Sequence, residues 1–385
     1  MRCLILSSHQ LTTPAHRRPR GLAQVMRQAG HLVTVVAVAA QATRRSRLMI
    51  HERGAELLTP TGTLGASAHD LASRLWHLLV THEFDVIYAF EPQLSTVLPA
   101  LMAQRLWGTR VMFDFGAGWQ GLRGVACASR HRQLVLPGLL TRWASARSGA
   151  FMASGVELLE DCREATAPRA VPALVPDVLD FRASAAPGEQ LAGSSFSLGV
   201  CALDGALPDA LRGPLDALVA RHAGWRVEWL ADAEAADEEA LRRRARACTV
   251  LWCPTGQHGR AAHTAAEART RLEACLLAGR PLAMPLEGEA ARVLAAAAPD
   301  AIYPADTSRP LVPAETLSGL MANSERRTHV GEVQLQALRG HFGAESVGRR
   351  LDVLLRRVWG LPGGGLSGGS SPAIVARVGA PPSIE

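Results

Sequence analysis

Short apolar runs alternate with amphipathic segments along the first half of the chain. Residues 2–6 and the β-branched run at residues 32–39 predict buried strands, and Arg17–Gln28 between them has its apolar residues on one helical face. The alternation continues with helices at residues 68–80 and 94–107 and strands at residues 85–90, 110–115 and 150–154. Strands and helices in this order predict a parallel sheet with helices on its faces.

The same alternation restarts in the second half of the chain. Strands are predicted at residues 195–203, 226–230, 249–254 and 281–285, and helices at residues 208–222, 233–248, 265–278, 314–323 and 326–359. The last helix is expected to break near residues 340–343, where two glycines weaken it. Prolines concentrate in residues 167–187, which predicts a linker between domains.

The two patterns predict an α/β protein with two Rossmann-like domains facing a cleft. A chain of 385 residues is long enough for two cores of ordinary size. We place an N-terminal acceptor-side domain at residues 1–178, a linker at 179–194 and a C-terminal donor domain at 195–361, whose last helix is a candidate to pack back on the first domain. The Gly/Ser/Pro-rich residues 362–385 are predicted to be a disordered tail.

Arginine accounts for all 41 basic residues, since the sequence contains no lysine. Mechanisms that need a lysine Schiff base or a lysine general base are therefore excluded. Any anion has to be bound by arginine or by backbone N–H groups. The formal net charge of +6 is compatible with a phosphate-bearing ligand or with an anionic membrane face.

The seven cysteines, at positions 3, 127, 162, 201, 248, 253 and 275, form no CxxC motif. We interpret them as buried reduced thiols of a cytoplasmic protein, because disulfides are rare in that compartment. The apolar run at the N-terminus is too short for a signal peptide, and no run is long enough to cross a bilayer. His258 and His263 lack a third ligand at metal spacing and no Asp-x-Asp occurs, so we expect no metal.

Three segments of the chain carry a family resemblance. Residues 20–36 include GLAQVMRQAGHLVTVV, residues 84–115 read FDVIYAFEPQLSTVLPALMAQRLWGTRVMFDF, and residues 270–294 read TRLEACLLAGRPLAMPLEGEAARVL. The third segment resembles the donor-site motif of the retaining family-4 glycosyltransferases, which have the GT-B fold. The first two are similar to segments of that family's N-terminal domain, in the same order.

The resemblance implies transfer of a sugar, with retention, from a nucleotide-diphosphate donor to a glycan, lipid-linked or small-molecule acceptor. Glu273 is then expected to accept hydrogen bonds from the donor ribose, and Arg260 and Arg271 to neutralise the diphosphate. Glu267 and Gly288 complete the expected donor site. The resemblance also implies that the donor phosphate helps to deprotonate the acceptor, so the nucleotide sugar is a co-substrate and no further cofactor is expected.

The loops of the N-terminal domain are expected to form the acceptor wall. His9, Arg17 and Asp114 are the candidate catalytic residues there. His9 lies in the loop after the first predicted strand, Arg17 begins the helix that follows this loop, and Asp114 lies near the end of the strand predicted at residues 110–115. Ligands of open α/β sheets bind beyond the carboxyl ends of the strands, which is the position that these residues share.

Departures from the family pattern leave a second hypothesis open. Ala265 replaces the first Glu of the family's paired acidic motif, and SSHQLTTPAHRR replaces the usual Gly-Gly after the first strand. Either the site is rebuilt with His9, His16, Arg17 and Arg260, or the chain is a glycosyltransferase-like binding or scaffold protein without catalysis.

Two further patterns point to other classes. Residues 116–121 (GAGWQG) match the GxGxxG fingerprint of an NAD-type oxidoreductase, but no acidic strand end follows at the required distance. The Arg-rich helix predicted at residues 130–147 is compatible with peripheral contact at the inner face of the membrane or with a core-facing helix. The few aromatic residues offer no stacking platform, so nucleic acid is not expected as a partner.

Overall fold

A computed structural model of the chain describes two α/β units. It covers residues 1–10, 16–39, 46–59, 66–81, 83–90, 93–115, 146–156, 159–160, 170–181, 196–202, 209–230, 238–254, 265–286, 288–304 and 312–360. Side chains are described for these residues except at positions 9, 66–69, 209–210 and 265–269. Within these ranges, no helix is both long enough and apolar enough to span a bilayer.

The N-terminal unit is built on an eight-stranded sheet in the order β3-β4-β2-β1-β5-β6-β7-β8. Its strands are β1 (Arg2–Gln10), β2 (Leu32–Val38), β3 (Arg47–His51), β4 (Gly54–Thr59), β5 (Val86–Phe90), β6 (Arg110–Phe115), β7 (Ala150–Ala153) and β8 (Val171–Leu174). All neighbouring strands are parallel except β3 and β4. Its helices are α1 (Arg17–Gln28), α2 (Ala66–Thr81) and α3 (Leu94–Trp107).

The C-terminal unit has a smaller, wholly parallel sheet in the order β10-β9-β11-β12-β13. Its strands are β9 (Phe196–Val200), β10 (Trp225–Trp229), β11 (Val250–Trp252), β12 (Leu282–Pro285) and β13 (Ile302–Tyr303). Its helices are α4 (Asp209–Val219), α5 (Glu238–Ala247), α6 (Ala265–Leu276), α7 (Gly288–Ala297), α8 (Ala314–Ala322) and α9 (Ser324–Phe342), and α10 (Ala344–Trp359) ends the described chain.

These two parallel-sheet units confirm the predicted fold class. The boundaries of α1, α3 and β6 are also those that the sequence predicts. Alternate residues of β1 belong to different apolar clusters, Leu4 and Leu6 to one and Cys3 and Ile5 to the other. The N-terminal sheet is therefore packed on both faces, as a parallel sheet between helices requires.

The strands at both edges of the N-terminal sheet are not predicted from the sequence. The stretch at residues 167–187, interpreted as a linker, contains β8, which pairs in parallel with β7. Pro172 is tolerated there because an edge strand can leave one side without ladder hydrogen bonds. At the other edge, β3 and β4 form an antiparallel pair that was not predicted, with Leu48 and Ile50 exposed on β3.

The last helix crosses from the C-terminal unit to the N-terminal one. Val347, Leu351 and Leu355 of α10 are buried in the same cluster as Leu22 and Met26 of α1. The chain also crosses in the other direction, since the backbone N–H of Leu179 donates to the carbonyl oxygen of Phe342 at 2.9 Å. The last helix thus belongs to the N-terminal core.

Gly343 separates α9 from α10 at the predicted break. Its backbone is extended, with φ −67° and ψ 149°, and its N–H still donates to the carbonyl oxygen of Arg339 at 3.1 Å. A Cβ atom at this position would lie 2.4 Å from that oxygen. The tight junction between the two helices therefore requires glycine. Residues 130–145 of the predicted helix at 130–147 and the tail at 362–385 lie outside the described residues.

Candidate functional site

Arg17 joins the two units at the carboxyl ends of their strands. It is the first residue of α1, which follows β1, and its Nη1 donates to Oε2 of Glu273 on α6 at 2.9 Å. Its Nη2 binds the carboxylate of Glu238, the first residue of α5. The exposed side-chain fractions are 28% for Arg17, 12% for Glu273 and 32% for Glu238. One arginine of the N-terminal unit therefore holds two helices of the other unit.

Glu238 is itself positioned by its own helix. Arg242, one turn later on α5, donates to the second carboxylate oxygen of Glu238 at 2.6 Å. Glu238 is thus paired with both Arg17 and Arg242. Of the two carboxylates that Arg17 binds, Glu273 is the more buried. The arrangement offers a carboxylate able to accept hydrogen bonds from hydroxyl groups and a guanidinium able to bind phosphate oxygens.

Asp114, a predicted catalytic residue, lies in a buried ion pair with Arg18. Nε and Nη2 of Arg18 donate to the two carboxylate oxygens of Asp114 at 2.9 and 2.8 Å. Arg18 Nη1 donates to the carbonyl of Val175 at 2.8 Å and to Asp177 at 3.0 Å. Burial by itself would lower the pKa of Arg18, but the two carboxylates outweigh it and raise that pKa.

This ion pair fastens the start of α1 to the end of β6. Arg18 is 2% exposed and Asp114 is fully buried, so both oxygens of Asp114 point into protein rather than into the cleft. The geometry gives Asp114 a structural role, because it holds Arg18 of α1 against β6. Contact between Asp114 and an acceptor stays a prediction.

A second buried polar cluster surrounds the end of β1. His16 Nδ1 lies 3.3 Å from Oγ of Ser7, and Nη2 of Arg74 on α2 donates to the carbonyl of Ser7 at 2.8 Å. Arg74 Nε also donates to Asp70, one turn earlier, at 2.7 Å. Burial lowers the pKa of Arg74. This pair is not among the predicted site residues, although an Asp-x-x-x-Arg spacing within a predicted helix indicates such a contact.

Of the remaining predicted donor residues, the structure describes Arg271 and Gly288 in full. Arg271 is only 4% exposed, one turn before Cys275 on α6. Gly288, which opens α7, has φ +76°, a left-handed conformation that favours glycine. Arg260 lies outside the described residues, as do the side chains of Glu267 and His9. Residues 116–121, His258 and His263 also lie outside the described residues.

The first turn of α7 makes another contact between the units. Glu289 Oε1 lies 2.9 Å from Nε2 of His341 on α9, and Arg350 of α10 lies 3.0 Å from the other ring nitrogen. Burial would raise the pKa of Glu289, but its hydrogen bond to His341 and nearby positive charge lower it. A backbone hydrogen bond from Val156, just after β7, acts in the same direction. Helices from both units therefore meet at Glu289.

Comparison with solved structures identifies the GT-B fold. Sucrose-phosphate synthase from Thermosynechococcus elongatus superposes with a TM-score of 0.66 at 9% identity, over 94% of this chain and 99% of that chain. HepE from Anabaena, in complex with UDP and glucose, gives a TM-score of 0.55 at 12% identity, over 93% and 100%. A putative UDP-N-acetylglucosamine 2-epimerase from Listeria monocytogenes gives 0.53 at 10% identity, over 94% and 97%.

The similarity to these solved structures is a similarity of fold. No family model and no curated protein matches the chain. The solved structures share the two-unit architecture at identities near one residue in ten, and their names include synthases as well as an epimerase. The fold therefore defines where a ligand is expected, and the choice of reaction rests on the residues of the cleft.

Proposed function

We propose that this chain transfers a sugar from a nucleotide-diphosphate donor to a glycan, lipid-linked or small-molecule acceptor, with retention at the anomeric carbon. The observation that carries the proposal is the Arg17–Glu273 contact at 2.9 Å across the cleft. It joins the carboxylate of the donor-site motif to a cation of the opposite unit, beyond the carboxyl ends of both sheets. The GT-B fold supports a ligand in this position.

Glu273 binds the ribose of the donor in this proposal. A carboxylate accepts from two neighbouring hydroxyl groups with charge-assisted hydrogen bonds, which are stronger than neutral ones. The side chain is 12% exposed, so the pairing takes place in a partly dehydrated site where each hydrogen bond contributes more. The ribose takes the place that Arg17 occupies on Glu273 when no donor is bound.

Arg17, released from Glu273, turns to the diphosphate. It begins α1, whose N-cap residue His16 makes no side-chain cap and whose first turn contains no acidic residue. The positive end of the helix dipole and its free N–H groups favour an anion at this point. Arg17 is the more accessible diphosphate ligand, because the buried Arg271 has to be uncovered before it can contribute.

In this proposal, the main contribution of the protein to sugar transfer is positive charge that stabilises the leaving phosphate. As the glycosidic bond to the diphosphate breaks, negative charge grows on the leaving phosphate, and Arg17 with the α1 N-terminus stabilises it. A phosphate oxygen of the donor accepts the proton of the acceptor hydroxyl as the new bond forms on the same face. Arginine fills the cationic role throughout, because the chain has no lysine.

Nucleotide binding to a matched pair of variants tests the donor site. Calorimetry with UDP, GDP and their sugars is expected to find one nucleotide that binds the wild-type chain, and Glu273→Ala is expected to weaken it by about 10- to 100-fold, because charged hydrogen bonds are lost. Glu238→Ala, which removes the other partner of Arg17, is the control and is expected to keep near wild-type affinity. Equal affinity in wild type and Glu273→Ala contradicts the assignment.

A non-catalytic binding or scaffold protein is the second candidate. It is favoured by Ala265 at the place of the family's first Glu and by the Arg18–Asp114 pair, which occupies a candidate catalytic carboxylate. Thermal unfolding with the same nucleotides separates the two. A bound nucleotide at about 100 times its Kd stabilises the folded chain by roughly 2.7 kcal/mol, whereas no shift with any nucleotide favours the scaffold.

A further inference from the structure

Three cysteine side chains meet inside the C-terminal unit. The Sγ atoms of Cys201, Cys253 and Cys275 all lie within 4.8 Å of one another, and none of the three residues is more than 1% exposed. In the part of the chain that the structure describes, all five cysteines are buried, which confirms the burial expected from the sequence. Their clustering is a tertiary feature, because the three positions form no short motif.

Two neighbouring strands place two of the thiols side by side. Val200 and Trp252 are partners in the parallel register of β9 and β11, and Cys201 and Cys253 follow them directly. The backbone N–H of Cys201 donates to the carbonyl of Trp252 at 2.9 Å. Matched positions on adjacent parallel strands project from the same face. Cys275, near the end of α6, packs into the same apolar cluster.

Arg271 supplies positive charge near Cys201. It precedes Cys275 by four positions, which puts both on one face of α6, and it is 4% exposed. Hydrogen bonds with Cys253 and Cys275 hold the pKa of the Cys201 thiol well below its usual range despite burial, and the charge of Arg271 acts in the same direction.

We propose that Cys201, Cys253 and Cys275 bind a thiophilic metal ion of the Zn²⁺ or Cu⁺ class. Sulfurs bound at about 2.3 Å to one ion lie roughly 3.8–4.0 Å apart, so small side-chain rotations close the site from its present separations of at most 4.8 Å. The ion replaces the S–H protons, which leave to solvent. With Zn²⁺, the charges of three thiolates, the ion and Arg271 cancel.

The ion cross-links three elements of the donor domain. It joins α6 to the residues that directly follow β9 and β11. The ligand on α6 is Cys275, two positions after Glu273. The proposed metal site depends on the positions of the three sulfurs and does not depend on the proposed sugar transfer. Its effect is structural, since a metal held in the folded state and not in the unfolded one stabilises the fold.

A Co²⁺ titration of the reduced, chelator-treated full chain tests the site. Thiolate-bound Co²⁺ gives a charge-transfer band in the near ultraviolet that nitrogen- or oxygen-bound Co²⁺ lacks. We expect one Co²⁺ per chain with this band, and its displacement by Zn²⁺ or, in an air-free titration, by Cu⁺; the stronger competitor identifies the preferred ion. Absence of the band from the folded wild-type chain overturns the proposal.

Serine variants locate the site. Cys201→Ser and Cys275→Ser are each expected to weaken Zn²⁺ binding by about 10- to 100-fold or more. Removing a residue that only hydrogen-bonds to a metal ligand already costs about 10- to 100-fold in affinity, and these variants remove a ligand itself. Cys248→Ser is the control, since Cys248 is equally buried but its thiol donates to the carbonyl of Arg244. Unchanged affinity in both cluster variants, or an equal loss in the control, overturns the proposal. Where a variant fails to fold, the Co²⁺ band of the wild-type chain decides.

Discussion

Adjacent arginines at the start of α1 have opposite surroundings. Arg17 is partly exposed and reaches carboxylates of the C-terminal unit, whereas Arg18 is buried against Asp114. Successive residues of a helix are rotated by about 100°, so one position can face the cleft while the next faces the sheet. Arg17 is thus a partly exposed cation that contacts the C-terminal unit, and Arg18 is a buried structural cation. Only the fold distinguishes the two.

The Arg18–Asp114 pair yields a stability prediction. Asp114→Ala leaves a buried guanidinium without its main partner, and removing one member of a buried pair costs about 3–5 kcal/mol. We expect this loss of unfolding free energy in urea denaturation monitored by circular dichroism. Arg18 retains Asp177 and the Val175 carbonyl, which soften the loss without cancelling it.

Asp300→Ala is the matched control for that measurement. Its carboxylate forms an exposed ion pair with Arg326 at 3.3 Å, and exposed pairs contribute at most about 1 kcal/mol. Similar small losses in both variants would show that Asp114 is not a structural anchor. Loss of sugar transfer by Asp114→Ala at unchanged stability would instead support the predicted catalytic role.

Among the elements, the junction of α9 and α10 depends most directly on a single residue. Gly343 lets the chain leave one helix and start the next within one position, and this turn directs α10 toward the N-terminal sheet. Gly340, three positions earlier, lies within α9, and a Cβ added there meets no atom within 4 Å. The two glycines look equivalent in sequence and differ only in their surroundings.

Alanine substitution at these glycines is expected to act in opposite directions. Gly343→Ala forces a Cβ to within 2.4 Å of the Arg339 carbonyl and is expected to lower the unfolding free energy by about 1–3 kcal/mol. Gly340→Ala is expected to raise it by about 0.5–1 kcal/mol, since alanine favours the helix. Urea denaturation of both variants checks this. A neutral Gly343→Ala would mean that the junction relaxes freely.

At the scale of the whole molecule, the N-terminal unit is completed by α10, the last described helix. α10 supplies buried side chains to the core that β1 and α1 begin, and the Leu179–Phe342 backbone hydrogen bond fixes the crossing point. The stability of the first unit therefore depends on residues more than 300 positions away in sequence. Arg17 and Glu289 add polar contacts between the units.

Shortening one α10 side chain is expected to loosen the distant sheet. Leu351→Ala removes a side chain that is 3% exposed, and such truncations cost about 2–5 kcal/mol. Hydrogen exchange is expected to accelerate in β1 and β5 of the N-terminal sheet. Val353→Ala on the same helix, at a residue that is 62% exposed, is the control and is expected to change stability by less than about 0.5 kcal/mol. Faster exchange confined to the C-terminal unit would contradict this packing.

The sequence predicted the internal strands of the N-terminal sheet better than the strands at its edges. Internal strands such as β5 and β6 are buried on both faces and read as continuous apolar runs, so their positions were clear. β3 exposes most of its residues and β8 contains proline, and neither has the pattern of a buried strand. Their strand conformation comes from pairing with a neighbour in the sheet, which local periodicity does not encode.

The sequence by itself determined the fold class, the order of most elements and the helix that carries Glu273, because these follow from local periodicity and a recognisable motif. Only the tertiary structure decided which charges and sulfurs meet: Arg17 with Glu273, Arg18 with Asp114, and Cys201 with the two other thiols. Such contacts join residues that are far apart along the chain. They arise where strand ends and helix faces converge, and no short spacing in the sequence records that convergence.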